Sequence, residues 1–409
     1  MRILVVSPFL PFPLDSGGSI RIYNIIHALS QNHELTLLCY VSSGDGRFVK
    51  QLESICNVIP VPFSPSRRKP IYHAKHFFSK LPFSLVFKDR HFKKTLAEYA
   101  SKNFDIVQFE FLPLAHYIDF FPARTKRVLV EHYIAAQARK KLLLLWSAGI
   151  KKFYYAAELC KIKRYERDIL HKFDLCLVTS KKDQEYLIKW CQPPHVMVSP
   201  NGVDINFFSP QPQQSDEKAD LTGPTLAYVG SFDLDPANID GLAFLMENIW
   251  PSIKKEVPNV RLEVMGKGLP ENFIANCRDE SIHIHGYVED IRPVLGKANV
   301  FVLPLRGGSG TKIRILTAMA MGIPVVATAI ASDGIEIQPE KNIFIGNNPA
   351  SLADQTIRLL KDTAINREIG FAGRKLVEKK YSWNPIVQAL ENRYLDLIES
   401  SDFKTSDCV

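Results

Sequence analysis

Residues 303–314 read Leu303-Pro304-Leu305-Arg306-Gly307-Gly308-Ser309-Gly310-Thr311-Lys312-Ile313-Arg314. The β-branched run Val300 to Leu303 stops at a proline, three glycines follow within four positions, and from Thr311 apolar residues recur at helical spacing. Strand, glycine loop and helix together expose backbone amides at the positive end of a helix. That suits a phosphate, with Lys312 and Arg314 adding charge. The same residues also fit an ordinary glycine turn capped by Ser309. A Walker loop is excluded, because its Gly-x4-Gly-Lys-Ser/Thr spacing is absent.

The alternation of strand and helix extends from this loop in both directions. Upstream, Leu226 to Val229, Arg261 to Met265 and Ile282 to His285 read as strands, with a helix near Ile239 to Lys254. Downstream, a helix from Thr311 is followed by a strand over Pro324 to Ala327. The first half repeats the pattern with strands at Ile3 to Val6, Glu34 to Tyr40, Asp105 to Phe109, Arg127 to Val130, Leu175 to Val178 and Val196 to Val198, and a helix over Ser19 to Gln31. Such alternation predicts an α/β protein of two doubly wound, Rossmann-like halves, each a parallel sheet covered by helices. Ligands of such sheets bind beyond the carboxyl ends of the strands. The proline- and glutamine-rich run from Ser209 to Ser215, continuing to Gly223-Pro224, reads as the linker between the halves.

The chain's 409 residues suit two domains, and 46% hydrophobic with 23% charged residues excludes wholesale disorder. No apolar run approaches the ~18–20 residues of a spanning helix, and the N-terminus lacks a signal-peptide pattern. Seven cysteines without a CxxC pair argue against a disulfide framework and a zinc site. A cytoplasmic location is the expectation. The net charge of +8 is concentrated in two segments. Arg67 to Lys94 holds nine Lys/Arg against one acid, and Arg139 to Arg164 eight against one, so the remainder is acidic. Aromatic and aliphatic residues interleave both segments, among them Phe77, Phe83, Trp146 and Tyr154. They read either as solvated helices or as attachment to an anionic membrane surface. No nucleic-acid-binding signature accompanies the charge, so nucleic acid is not an expected partner.

Other strand-end loops are less specific. Gly17-Gly18-Ser19 opens a helix after the first strand, without the GxGxxG dinucleotide fingerprint. Gly266-Lys267-Gly268 fails the same test, so nicotinamide chemistry is disfavoured. Asp233-Leu234-Asp235 matches the DxD pattern that holds a divalent ion in some sugar transferases, but with Pro236 next it reads better as a helix entry. No His/Cys/carboxylate set has metal spacing, so no metal is expected. Glu131-His132 ends a strand where a histidine can bond a hydroxyl or move a proton, or serve only structure.

Together these segments resemble the retaining GT-B glycosyltransferases of family four, in particular bacterial envelope and exopolysaccharide sugar transferases. The resemblance is carried by Gly308 to Leu316, Ala318-Met319-Ala320 and Gly322 to Thr328, by Gly17-Gly18 with Arg21, and by Glu131-His132. Tyr165-Glu166, Asp174, Thr179 to Asp183, Ser199 to Asp204, Gly230-Ser231 with Pro236 to Asp240, and Gly286 to Asp290 follow in the family's order.

The resemblance implies a GT-B fold with an acceptor-side domain at 1–204, a linker at 205–223, a nucleotide-sugar domain at 224–385 and a C-terminal helix at 386–409 returning toward the first domain. It implies transfer of a hexose from a nucleotide-sugar to a hydroxyl of a glycan or lipid-linked acceptor, with retention and without an essential metal or cofactor. Gly310, Thr311 and Lys312 would hold the donor diphosphate, Gly308, Ser309 and Thr317 would also belong to the donor site, and Gly17 and Gly18 would approach the phosphates closely. Gly230 and Ser231 would flank the donor, Tyr287 and Val288 would lie beside the base, and His132 would contact the transferred sugar. His132 and Lys312 are the expected catalytic residues. Many members carry two glutamates eight positions apart in this region. Ser309 and Thr317 stand there instead, and Thr317 replaces the one that grips the ribose. That departure leaves open a non-catalytic partner subunit, and a GT-B sugar-nucleotide epimerase is the other enzyme reading.

Overall fold

Four successive apolar residues, Ile3 to Val6, are all buried in the first strand, as expected of a strand covered on both faces. The computed structural model describes residues 1–63, 82, 89–144, 149–210, 223–233, 236–308 and 310–405. Expectations for Ser309, for Leu234 and Asp235, for most of the basic stretch 67–88, for Trp146 and for the linker residues 211–222 lie outside the described residues.

The chain divides into two compact units, Met1–Pro200 with Val387–Val409, and Asn201–Ile386. In the first, strands β1 (Arg2–Ser7), β2 (Glu34–Val41), β3 (Asn57–Pro62), β4 (Ile106–Glu110), β5 (Lys126–Glu131), β6 (Leu175–Val178) and β7 (Val196–Val198) form a seven-stranded sheet in the order β3-β2-β1-β4-β5-β6-β7. Every pairing is parallel, with Val6 opposite Leu38 on one side of β1 and Phe109 on the other. The order reverses between β1 and β4, so the loops after these strands form the switch point where doubly wound sheets bind ligands. The strand β3 was not evident from sequence, because Pro60 and Pro62 interrupt its pattern. Its place at the sheet edge, where unpaired positions are tolerated, explains how it forms.

In the second unit, β8 (Thr225–Val229), β9 (Arg261–Met265), β10 (Ile282–Gly286), β11 (Val300–Leu303), β12 (Val325–Ala327) and β13 (Phe344–Ile345) form a parallel sheet ordered β10-β9-β8-β11-β12-β13. Its switch point lies between β8 and β11, and hence between Gly230 and the glycine loop. The helix expected near 239–254 is instead three pieces: Pro236–Phe244, a π turn at Leu245–Ile249, and Trp250–Glu256. Pro251 lacks the amide that a continuous helix would use there.

Residues 201–204, expected with the first domain, fold with the second. Val203 donates its amide to the Tyr381 carbonyl at 2.8 Å, and Gly202 packs so closely on Trp383 that a Cβ would lie 2.6 Å from its indole.

Candidate active site

In the first unit, the helix Gly17–Leu29 begins directly above the switch point, capped by the Ser16 hydroxyl, which accepts from the Ser19 amide at 3.1 Å. Gly18 lies against Phe9 and Phe111, two rings that follow β1 and β4 and pack on each other at 5.5 Å. A Cβ there would stand 3.1 Å from Phe9 and 3.1 Å from Phe111, so a larger residue would displace them. Phe111 holds a φ of +68°, a conformation that bulky residues rarely adopt. Its ring stacks on His132 at 3.8 Å between centroids and 9° between planes. His132 follows β5, and its Nε2 lies 2.6 Å from Glu110 Oε2 at the end of β4. Burial holds this histidine below its usual pKa, partly offset by Glu110. Burial thus favours the neutral ring. Gly17, Gly18 and His132 are thus gathered at one switch point, and Phe111 and Glu110 join them unforeseen.

One turn into the same helix, Arg21 is wholly buried. It donates to the Ser199 hydroxyl at 2.9 Å and to the Pro200 carbonyl at 2.8 Å, and burial lowers its pKa to about 10. Further along β5, Glu131 and Glu166 are buried acids whose pKa values burial raises, Glu166 to about 7 and Glu131 well above the carboxylate range. Glu166 accepts from the Ala136 amide at 3.2 Å, so it caps the helix Ala135–Leu144 from a neighbouring element.

In the second unit, the glycine loop enters the helix Ile313–Ala320 two residues later than its sequence suggests, because Lys312 is extended at φ −86° and ψ 94°. Lys312 is therefore at the helix entrance and not in its first turn. Gly308 and Gly310 have φ of +110° and +72°, in the region that favours glycine. Thr311 and Lys312 are both buried. The Thr311 hydroxyl has no hydrogen-bond partner among the described residues, which is the condition of a group kept for a ligand.

Arg314, expected to add charge beside a phosphate, is engaged within its own unit. Its Nη1 donates to the Val229 carbonyl at 2.7 Å and to Asn238 Oδ1 at 2.8 Å. Asn238 in turn donates to the Ser231 carbonyl at 2.8 Å. Arg314 and Asn238 thus tie the glycine-loop helix to the Gly230-Ser231 turn, bringing the two expected donor loops together. Thr317, which stands where a ribose-gripping glutamate is expected, is buried, and its hydroxyl donates to the Ile313 carbonyl at 3.2 Å. The helix is covered nearly all round because Thr363–Lys380 packs on it, with Met319 3.2 Å from where a Cβ of Gly373 would lie. Tyr287 and Val288 follow β10, Tyr287 exposed and Val288 resting on the core. Asp233 lies 3.8 Å from Lys267, and Pro236 opens the next helix. Among the described residues no helix is long and apolar enough to cross a membrane.

Residues 16–207 match the family described as Glycosyltransferase Family 4, and residues 223–362 the family described as Glycosyl transferases group 1. An uncharacterized 44.6 kDa protein in the cps region of Klebsiella pneumoniae is 24% identical over 95% of this chain and 98% of its own length. The capsular polysaccharide biosynthesis glycosyltransferase CapM of Staphylococcus aureus is 26% identical over 50% of this chain and 56% of its own. HepE of Anabaena, solved in complex with UDP-glucose, superposes with a TM-score of 0.65 at 15% identity, over 97% of this chain and 100% of that one. The two parallel-sheet units are those of the GT-B fold.

Proposed function

We propose, from the premise that this chain is a GT-B glycosyltransferase carrying family 4 and group 1 domains, that it moves a hexose from a nucleotide-sugar to an acceptor hydroxyl with retention of configuration. The acceptor is a glycan or lipid-linked intermediate of envelope polysaccharide synthesis, a setting that the capsular relatives support.

The observation that carries this reading is the loop before the helix Ile313–Ala320. Two glycines in left-handed conformations, a buried hydroxyl without a partner and a buried ammonium converge at one helix entrance. Charge that builds on the departing diphosphate is met there by amides, the Thr311 hydroxyl and the Lys312 ammonium, without a metal ion or another cofactor. Donors fixed before the reaction need little reorganisation as charge develops, so they favour the transition state over the bound donor. On this reading Gly230 and Ser231 flank the donor, Tyr287 and Val288 lie beside its base, Gly17 and Gly18 leave room for its phosphates, and His132 contacts the transferred sugar.

The work is done at the inner face of the cell membrane. The helix Ile150–Leu170 turns Lys152, Phe153, Arg164 and Arg167 outward, and Trp190 of the helix Lys181–Trp190 lies under Lys163 at 5.1 Å. Phe153 is 75% exposed. Cations around exposed aromatic rings suit an anionic lipid surface.

Thermal stabilisation by a panel of nucleotide-sugars tests the donor, because a ligand that binds only the folded state raises the melting temperature. The anomeric configuration of the product, read by proton NMR, tests retention. Stabilisation by no nucleoside diphosphate would favour a non-catalytic partner subunit, the reading that Thr317 supports by presenting no carboxylate to a ribose. Interconversion of the donor sugar without transfer would favour the epimerase.

A further inference from the structure

Gln108 and Glu110 are two polar residues in a strand whose other members are apolar, and both are wholly buried. Strand periodicity places them on the same face. Their hydrogen bonds run in one direction. Tyr394, from the helix Trp383–Thr405, donates its hydroxyl to Gln108 Oε1, and Gln108 Nε2 donates to Glu110 Oε1. The second carboxylate oxygen faces His132 Nε2 at 2.6 Å. With its carbonyl taken by Tyr394, Gln108 can offer Glu110 only an N–H. Glu110 is therefore an acceptor on that side. With Oε2 accepting as Oε1 does, His132 Nε2 carries the hydrogen between them. Nδ1 is then the ring's lone-pair nitrogen. It has no partner among the described residues, and the side chain keeps 8% of its surface exposed.

We propose that Glu110 is the positioning residue of His132. It fixes the ring, clamped from one face by the strained Phe111, as the Nε2–H form, so that Nδ1 accepts a hydrogen bond from a hydroxyl of the bound sugar. The functional half of this inference rests on the proposed contact between His132 and the transferred sugar. The structural half does not. A histidine locked as an acceptor discriminates between ligands. It rewards a hydroxyl and leaves its lone pair unpaired against a deoxy position. Glu110 is thereby a determinant of which sugars are accepted, although it is placed one residue away from any ligand.

The experiment is nitrogen-15 NMR of histidine-labelled full-length protein, with steady-state kinetics on the same samples. In the wild type, His132 should show a protonated Nε2 and an unprotonated Nδ1 at pH 7. Glu110→Gln makes a sharp prediction. Gln108 still donates to the position 110 oxygen, so the new amide must turn its NH2 toward His132. The tautomer should reverse to Nδ1–H, and kcat should fall roughly 10- to 100-fold with little change in donor KM. Glu110→Asp, which keeps an acceptor, should retain the wild-type tautomer and serves as the second variant should Glu110→Gln fold poorly. An Nδ1–H or doubly protonated His132 in the wild type would overturn the assignment, as would an unreversed tautomer in a folded Glu110→Gln. Reversal with unchanged kcat would overturn the ligand-acceptor role. The expected tautomers in a protein that transfers no sugar would support the positioning assignment and defeat the transferase reading alone.

Discussion

Arg21 donates to the Ser199 hydroxyl at 2.9 Å, although 178 positions separate the two in sequence. The guanidinium is wholly buried and also binds the Pro200 carbonyl, so it anchors the chain at the residues where the first unit ends. Replacing it with methionine nearly keeps the volume and leaves the Ser199 hydroxyl and the Pro200 carbonyl without their buried donor. Leaving buried hydrogen-bonding groups unsatisfied costs about 1–3 kcal/mol. Arg21→Met should lower the urea midpoint of the first unit accordingly, and an unchanged midpoint would refute the anchor.

Gly18 lies against Phe9 and Phe111, whose rings pack on each other at 5.5 Å, at distances that leave no room for a branched side chain. Gly18→Val should push the Phe111 ring off His132. Transfer should fall by at least about tenfold, the effect of misplacing a group near the reacting atoms. The urea midpoint should move little, because the rings can yield toward solvent. Full activity in a folded Gly18→Val would show that the stacking of Phe111 on His132 is without consequence.

Lys312→Met and Thr311→Val remove the two side-chain donors at the helix entrance. A hydrogen bond from a charged donor contributes about 1.5–3 kcal/mol, and one from a neutral hydroxyl about 0.5–1.5 kcal/mol. Calorimetric titration with a nucleoside diphosphate should therefore show the larger loss of affinity for Lys312→Met. Equal affinity in all three proteins would place the diphosphate elsewhere.

The buried acids make stability depend on pH in an unusual direction. Burial raises Glu166 to about 7, against an ordinary value of 4.5, and Glu131 also titrates high beside Glu166 and Asp183. When the folded-state pKa lies above the unfolded one, the unfolded chain releases its proton first. The stabilisation is then complete below about pH 4.5 and declines as pH rises to about 7. Each such proton contributes a slope of at most roughly 1.4 kcal/mol per pH unit. Glu166→Gln keeps an acceptor for the Ala136 amide and should flatten the decline, as measured by urea unfolding between pH 5 and 7.5. A profile as steep as the wild type would exclude Glu166 as a source.

Sedimentation with vesicles tests the exposed basic and aromatic face. Binding should require anionic lipid and weaken at high salt, since the Debye length is about 10 Å at 0.1 M and falls to about 3 Å at 1 M. Phe153→Ser with Trp190→Ser should reduce it further. Equal binding to neutral vesicles, or binding to neither, would defeat the membrane reading.

Local pattern alone determined the strand succession, the doubly wound class and the loops to inspect. A buried parallel strand must be apolar along its length, and a turn into a helix shows itself through glycine and proline. Most strands found in the structure lie within a residue or two of where the pattern puts them, from Leu175–Val178 to Val300–Leu303. The edge strand β3 was hidden by its prolines, and only its place in the sheet makes it intelligible.

Partnerships were decided by tertiary structure. Glu110 and His132 are 22 positions apart, and Gln108 and Tyr394 are 286 apart. No periodicity relates such residues. Two polar side chains in the apolar strand β4 were a visible signal that something buried awaited them, but not of what. Arg314 and Thr317 follow the same reason in reverse. Their spacing pointed to a ligand, whereas packing on both sides of their helix turned one to Val229 and Asn238 and the other to Ile313. A buried polar group must be satisfied by whatever the fold brings within about 3 Å, and that is settled by how the elements pack.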